Sequence, residues 1–430
     1  MKKTELPKLD LSVYEETLEN GLKVYVIPNS YAKGVYATFT VKYGGGIDEF
    51  VPYGEKEYVK FPHGIAHFLE HKLFEQEDGT DPMQFFSERG ADCNAFTNSK
   101  CTCYLFSGSN AYKENIRYLL DYVQAPYFTD ENVKKEKGII VQEAKMYLDH
   151  PGRVMYYETM EQLLVKDPNR YSTIGTIEEI NSITKEQLYQ CYYTFYHPSN
   201  MLLVISGNVK PEEMIELVKE NQNKKVFPKK EEIKVKKEKE PYQITEKEVI
   251  KYMNVQIPKV SVNIKINIKK LKEQFTEREI NYYVSMMLGI HFSSLSLLQE
   301  RLEKEHIING GIGGMAEYID DYLLVTFDAE TKEKDKFIES IIEELKDVSI
   351  TEEEFIREQR VRISSCYKAS DSIYSMNDTL RNQIVKYDTF FPNTISEIKN
   401  LKYENISIVK KIFDDYKMGI VLILPNEKTM

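Results

Sequence analysis

One run near mid-chain limits what this sequence can fold into. Between Lys224 and Glu240 stand eight Lys and four Glu, with Pro228 inside the run and Pro241 just beyond it. So polar a stretch reads as a hydrated interdomain linker. A nucleic-acid patch fits less well, because the Lys are interleaved with Glu and aromatic residues are few. A chain of 430 residues is also too long for a single core. Three segments are expected: residues 1–223, a linker over 224–243, and residues 244–430.

The order of elements restarts after the run. In the first half, apolar and polar residues alternate as in strands over Gly21–Ile27 and Val35–Tyr43, and Gly44, Gly45 and Gly46 break the second of these. A short helix over Asp81–Arg89 precedes two strands, Asp92–Thr97 and Thr102–Ser107. Helical patterns follow at Tyr112–Val123, Asp130–Tyr147, Met155–Leu164 and Lys185–Phe195, and then a strand expected to be buried at Met201–Ser206. In the second half, strand-like segments span Val249–Ile268 and helices are expected at Glu277–Leu288 and Leu295–Lys304. Paired strands flank Ile319-Asp320-Asp321, and helices occupy Lys332–Lys346 and Glu352–Ala369. The halves also end alike: ITKEQLYQCYYTFYHPSNMLLVISGN, from Ile183, has a counterpart in LKYENISIVKKIFDDYKMGIVLILPN, from Leu401. This predicts an α+β protein made of two copies of one unit, strands packed under helices.

Only the first half carries H-x-x-E-H, as His67, Glu70 and His71. On a helix, i and i+4 share a face with i+3 beside them, so both imidazoles and the carboxylate point into one small volume. Two neutral imidazoles on one helix can hold a divalent ion, and a carboxylate next to the ion can take a proton from water. The alternative is a solvated His-rich face. Against it, Ala66, Phe68 and Leu69 form the apolar wall of a buried helix. The order is the reverse of the H-E-x-x-H motif.

A catalytic zinc site usually has three protein ligands, and two His leave it incomplete. The candidate helix reads EKGIIVQEAKMY, where Glu136 and Glu143 lie seven apart and face the same way. Spacing alone does not choose between them, and such Glu pairs are also common on solvated helices.

The combination of H-F-L-E-H with Glu136 and Glu143 some seventy residues later resembles the M16 (pitrilysin or insulinase) metallopeptidase family, most closely its short bacterial M16B branch of processing-peptidase-like proteins. GIAHFLEHKLFE, NAFTNSKCTCYLF, EKGIIVQEAKMYLDHP, STIGTIEEI and FYHPSNMLLVISGN carry the resemblance through the first half. It implies two homologous half-domains, each a mostly antiparallel sheet packed with helices, in the LuxS/MPP-like metallohydrolase fold. It implies one Zn2+ per chain on His67, His71 and Glu143, Glu70 as general base, and Glu136 as a carboxylate that steadies the site. The strand holding Asn94, Ala95 and Phe96 is expected to pair with an extended peptide substrate through its backbone.

The second half departs from that pattern. Active single-chain relatives carry an Arg and, seven residues later, a Tyr that stabilise the substrate carbonyl. In SSLSLLQERLEKEHIING the Tyr position counted from Arg301 is Ile308, and a shift by one places Leu302 and Asn309 there. The expectation is a zinc-bearing endopeptidase subunit whose M16-like partner supplies Arg and Tyr, with a homodimer as the other assembly. A non-catalytic scaffold or partner subunit is the rival reading. Glycines 310, 311, 313 and 314 do not open a helix after a strand, and read as a flexible turn.

Net charge of −11 argues against general nucleic-acid binding. No apolar run is long enough to cross a bilayer, and MKKTELPKLDLSVYEE lacks a hydrophobic signal core, so a cytoplasmic protein without membrane association is expected. The five Cys include no C-x-x-C pair and read as free thiols, with Cys101 and Cys103 a weaker metal-binding candidate.

Overall fold

The computed structural model of the chain describes residues 1–426. Contacts sort these residues into two compact units: 1–144, 171–237 and 364–395 form the first, and 145–170, 238–363 and 396 onward the second.

The first unit is built on a seven-stranded sheet. Its strands are β1 (Lys2–Leu6), β2 (Leu11–Thr17), β3 (Lys23–Pro28), β4 (Val35–Val41), β7 (Ala91–Thr97), β8 (Thr102–Gly108) and β9 (Met201–Gly207), in the order β1-β2-β3-β9-β4-β8-β7. Two short strands, β5 (Glu49–Phe50) and β6 (Val59–Lys60), pair separately. Only β3 and β9 run parallel; every other pair in the large sheet is antiparallel. β4 and β9 are buried along their whole length, as expected of central strands covered on both faces.

One cover is the helix Ile373–Tyr387. Its Met376, Leu380 and Ile384 recur every fourth residue and pack on Tyr25, Ile27, Leu202 and Val204. Asn377, fully buried, donates to the carbonyls of Tyr36 and Val204 and accepts from Thr38 Oγ1 at 2.7 Å.

The second unit has a five-stranded sheet of β10 (Glu248–Met253), β11 (Lys259–Asn267), β12 (Ala316–Ile319), β13 (Tyr322–Glu330) and β14 (Tyr416–Pro425), ordered β10-β14-β11-β13-β12. Here β10 and β14, the first and last strands, pair in parallel, as β3 and β9 do, and the rest pair antiparallel. This order repeats β3-β9-β4-β8-β7 strand for strand, so the chain is a tandem of two α+β half-domains. The helix Pro151–Leu163 packs on β11 and β14. Gln162 donates to the Ile420 carbonyl at 3.0 Å and accepts from Asn263 at 3.0 Å. A side chain at Gly419 would meet Gln162 at 2.3 Å, so glycine is what admits this approach.

Three sequence expectations change. The units do not follow residues 1–223 and 244–430 as unbroken blocks, because segments 145–170 and 364–395 each bury their apolar faces in the unit built mainly from the other half of the chain. The Lys/Glu run is not simply a hydrated linker. Val235 bridges Phe50, flanked by hydrogen bonds between Val51 N and Lys234 O at 3.0 Å and between Lys236 N and Glu49 O at 2.9 Å, and Glu240 is 1% exposed. The glycine turn is held at two places: Gly313 and Asp328 exchange backbone hydrogen bonds of 2.8 and 2.9 Å, and Gln299 donates to the Gly310 carbonyl at 3.1 Å while accepting from Ile312 N at 2.8 Å.

Candidate metal centre

The motif helix runs Ile65–Lys72 and enters through Gly64 at φ 86°. A Cβ on Gly64 would meet Ile174 O at 2.1 Å, and one on Gly175 would meet His63 O at 2.3 Å. Two glycines pressed back to back thus bring PHGIAHFLEH and STIGTIEEI together. His63 strengthens the clamp: its Nδ1 meets Glu179 Oε1 at 2.5 Å and its Nε2 lies 3.3 Å from Asp48 Oδ2. Burial alone would depress the His63 pKa, but these two carboxylates outweigh it and hold the value above the ordinary one. Ile65, Ala66, Phe68 and Leu69 are all buried, so the side carrying them is fixed in the core.

That fixes what the other positions face. His67 Nε2 lies 3.8 Å from Glu143 Oε1, and His71 Nε2 lies 3.4 Å from Glu143 Oε2. The His67, His71 and Glu143 ligand atoms fall within 4.8 Å of one another, the only such grouping among the described residues. Zinc bound at about 2.0–2.2 Å in tetrahedral geometry sets its ligand atoms about 3.4 Å apart. Two imidazoles and a carboxylate are donors that zinc takes, and the 3.8 and 3.4 Å separations lie near that value.

Glu136 and Glu143 share the helix Asp130–Leu148. They divide the His71 ring between them: Glu136 Oε1 sits 3.0 Å from Nδ1, while Glu143 faces Nε2. A carboxylate on Nδ1 holds the tautomer that leaves Nε2 open to a metal. Burial would lower the His71 pKa, but Glu136 and Glu143 overcome it and push the value up to about 9. Glu70 is 7% exposed and accepts a hydrogen bond from Thr97 Oγ1 at 2.5 Å. Burial raises its carboxyl above the ordinary range, against the lowering effects of Thr97 and His71.

β7 lies at the end of its sheet, paired only with β8. A cavity of about 540 Å³ beside it is lined by Glu70, His71, Glu136, Asn94 and Ala95, with Phe74 and Met83 as apolar wall. The Phe96 side chain is not part of this lining. It faces Arg381, whose guanidinium carbon is 5.0 Å from the ring centroid. Phe96 therefore does not line the cavity, unlike Asn94 and Ala95. Sequence reasoning missed Thr97 as a partner of Glu70 and missed the His63 clamp; the glycine just ahead of the motif was the one local signal. Cys101 and Cys103 are buried free thiols outside any metal-type grouping among the described residues.

Residues 54–177 match the model of the insulinase family, peptidase family M16, and residues 182–361 match a model described as the peptidase M16 inactive domain. An uncharacterized zinc protease of Bacillus subtilis, YmfH, is 37% identical over 99% of this chain and 100% of its own. The chain belongs to peptidase family M16. An M16-like peptidase from Alicyclobacillus acidocaldarius has the same fold, with a TM-score of 0.88 at 29% identity over 98% of this chain and 100% of that one. Pitrilysin, at 15% identity, shares the fold with a TM-score of 0.73 over 98% of this chain and 46% of its own. The M16 inactive-domain match begins beyond all four residues His67, Glu70, His71 and Glu143. No helix among the described residues is long and apolar enough to cross a membrane.

Proposed function

We propose that this chain is a zinc-dependent endopeptidase that hydrolyses peptide bonds in peptides or unfolded segments. The observation that carries the reading is the convergence of His67, His71 and Glu143 within 4.8 Å, with Glu70 on the same helix. Bound zinc would supply a Lewis acid and lower the pKa of water toward ~7. Glu70 then accepts the proton of the attacking water on a carboxylate oxygen and returns it to the leaving amine. Glu136 holds His71 at Nδ1, and the β7 edge binds an extended peptide backbone beside the Glu70 cavity.

The finer reading makes this the catalytic subunit of a heterodimer, because neither register of the Arg301 helix supplies the expected Arg and Tyr. Ile308, in the Tyr position, is also 8% exposed and packed in the core of the second unit. The scaffold reading draws on the inactive-domain match over 182–361, but that segment contains none of the four site residues.

Glu70→Gln separates the two readings. The amide is nearly isosteric and cannot accept the proton, so zinc content by elemental analysis stays at the parent level. Turnover of a fluorogenic peptide falls by at least ~10²–10⁴-fold. Activity within about threefold of the parent would remove Glu70 from the role.

A further inference from the structure

One oxygen of Glu70 is engaged within the chain itself. Thr97 stands opposite Thr102 in the β7–β8 register, and their hydroxyl oxygens lie 3.1 Å apart. Each has one hydrogen to give. Thr102 gives its own to the Tyr43 carbonyl at 3.0 Å, an atom that can only accept. Tyr196 is also a hydrogen-bond partner of Thr102, and its hydroxyl meets the Tyr104 hydroxyl at 2.9 Å. Tyr43, Thr102 and Tyr104 are fully buried and Tyr196 is 2% exposed, so water does not take over these roles. The Thr97 hydroxyl therefore sits between a hydroxyl whose hydrogen is committed and a carboxylate that, when ionised, only accepts. Its hydrogen goes to Glu70 Oε2, at 2.5 Å.

We propose that Thr97 is a positioning residue for Glu70: its hydroxyl fixes Oε2 and leaves Oε1 as the oxygen that exchanges a proton with the reacting water. The proposal rests on the reading of Glu70 as general base. A carboxylate on a flexible side chain rotates unless one oxygen is held, and each misoriented rotamer is an unproductive state. Thr97 is well suited to hold it. A β-branched residue in a strand has a restricted χ1, and the strand pairing with Thr102 fixes its backbone. Thr97 also ends β7, the strand proposed to bind the peptide. A single element thus sets both the scissile bond and the base.

Thr97→Val keeps the shape and removes the donor; Thr97→Ser restores the donor. The expected result is a fall in kcat on the order of 10–100-fold for Thr97→Val, with KM within about twofold and zinc content unchanged. Thr97→Ser should return to within about threefold of the parent, and Thr97→Ala, which adds no bulk, should match Thr97→Val. Crystal structures give a readout that does not depend on turnover: Glu70 should hold one orientation in the parent and be turned or split in Thr97→Val. Three results would overturn the proposal: kcat for Thr97→Val within threefold of the parent, Thr97→Ser as impaired as Thr97→Val, or an unchanged Glu70 orientation in Thr97→Val. A zinc-loaded parent that cleaves no peptide even with an M16-like partner bearing Arg and Tyr would instead sink the endopeptidase reading, and the Glu70 orientation would still decide the role of Thr97.

Discussion

Replacing Glu240 by Gln should be among the most destabilising near-isosteric changes in the second unit. The Glu240 and Lys265 side chains are both 0% exposed and paired at 2.6 Å. Glu240 Oε1 also accepts from Val165 N at 2.9 Å, and Oε2 accepts from Lys166 N at 2.8 Å and Asp167 N at 2.9 Å. The carboxylate thus serves four donors, two on each oxygen. An amide has one acceptor oxygen, so in either orientation its NH2 opposes two of those donors. Two orphaned donors at ~1–3 kcal/mol each give ~2–6 kcal/mol. Loss of one partner from a buried pair gives ~3–5 kcal/mol independently. Lys265 keeps the carbonyls of Pro241 at 2.8 Å and Gln243 at 3.0 Å, which limits the damage, so about 3–5 kcal/mol is the expected loss.

Hydrogen exchange suits a chain with two units, because it reads the segment directly. Peptides covering 163–170 should exchange roughly 10²–10⁴-fold faster in the variant. Lys265→Met added to Glu240→Gln should recover part of the loss, since the ammonium is gone, but not all, since backbone N–H groups still lack acceptors. The pH dependence has a definite sign. Burial pushes the Glu240 carboxyl up, but Lys265 and the three amides outweigh it and hold its pKa below the ordinary value. Its contribution is therefore fully present above the unfolded pKa of about 4.3 and is lost as pH falls through the lower folded value. Glu240→Gln should flatten the stability profile in that acid range. A loss under about 1 kcal/mol with unchanged exchange would refute the reasoning.

Two other perturbations probe the metal centre and the assembly. Glu143→Gln should lower zinc occupancy, whereas Glu136→Gln should keep most of the metal and run ~10–100-fold slower; the reverse pattern by elemental analysis and turnover would exchange the two roles. The isolated chain should bind zinc yet cleave peptides poorly, and gain on the order of 100-fold with an M16-like partner bearing Arg and Tyr. Full activity that the partner leaves unchanged would mean another residue stabilises the substrate carbonyl.

Much of the candidate site was legible because its geometry is local. His67 and His71 are one helical turn apart, and that separation survives whatever the helix packs against. Glu136 and Glu143 share a face for the same reason. Their different places were not legible from spacing, since what divides them is which nitrogen of the His71 ring each one meets. Non-local features escaped. The Gly64–Gly175 contact and the His63–Glu179 pair join residues more than a hundred apart. The Lys/Glu run looked solvated because composition cannot register a carboxylate that accepts four hydrogen bonds, as Glu240 does.

The exchanged helices left a mark that can be read in retrospect. Ile373–Tyr387 has a clear apolar face in Met376, Leu380 and Ile384, but amphipathicity says only that a helix is buried on one side, not against which sheet. The address lies in polar residues. β4 reads VYATFTV and β11 reads KVSVNIKIN, and the two hold equivalent places in their sheets. Thr38 and Asn263, near the middle of these strands, are fully buried. An unpaired amide or hydroxyl there costs ~1–3 kcal/mol, so each demands a partner from whatever covers the sheet. Thr38 finds Asn377, and Asn263 finds Thr159 and Gln162. An apolar helix can slide on an apolar sheet at little cost, but these pairs have one register. The polar residues in the centres of β4 and β11 are therefore what specify which helix covers which sheet.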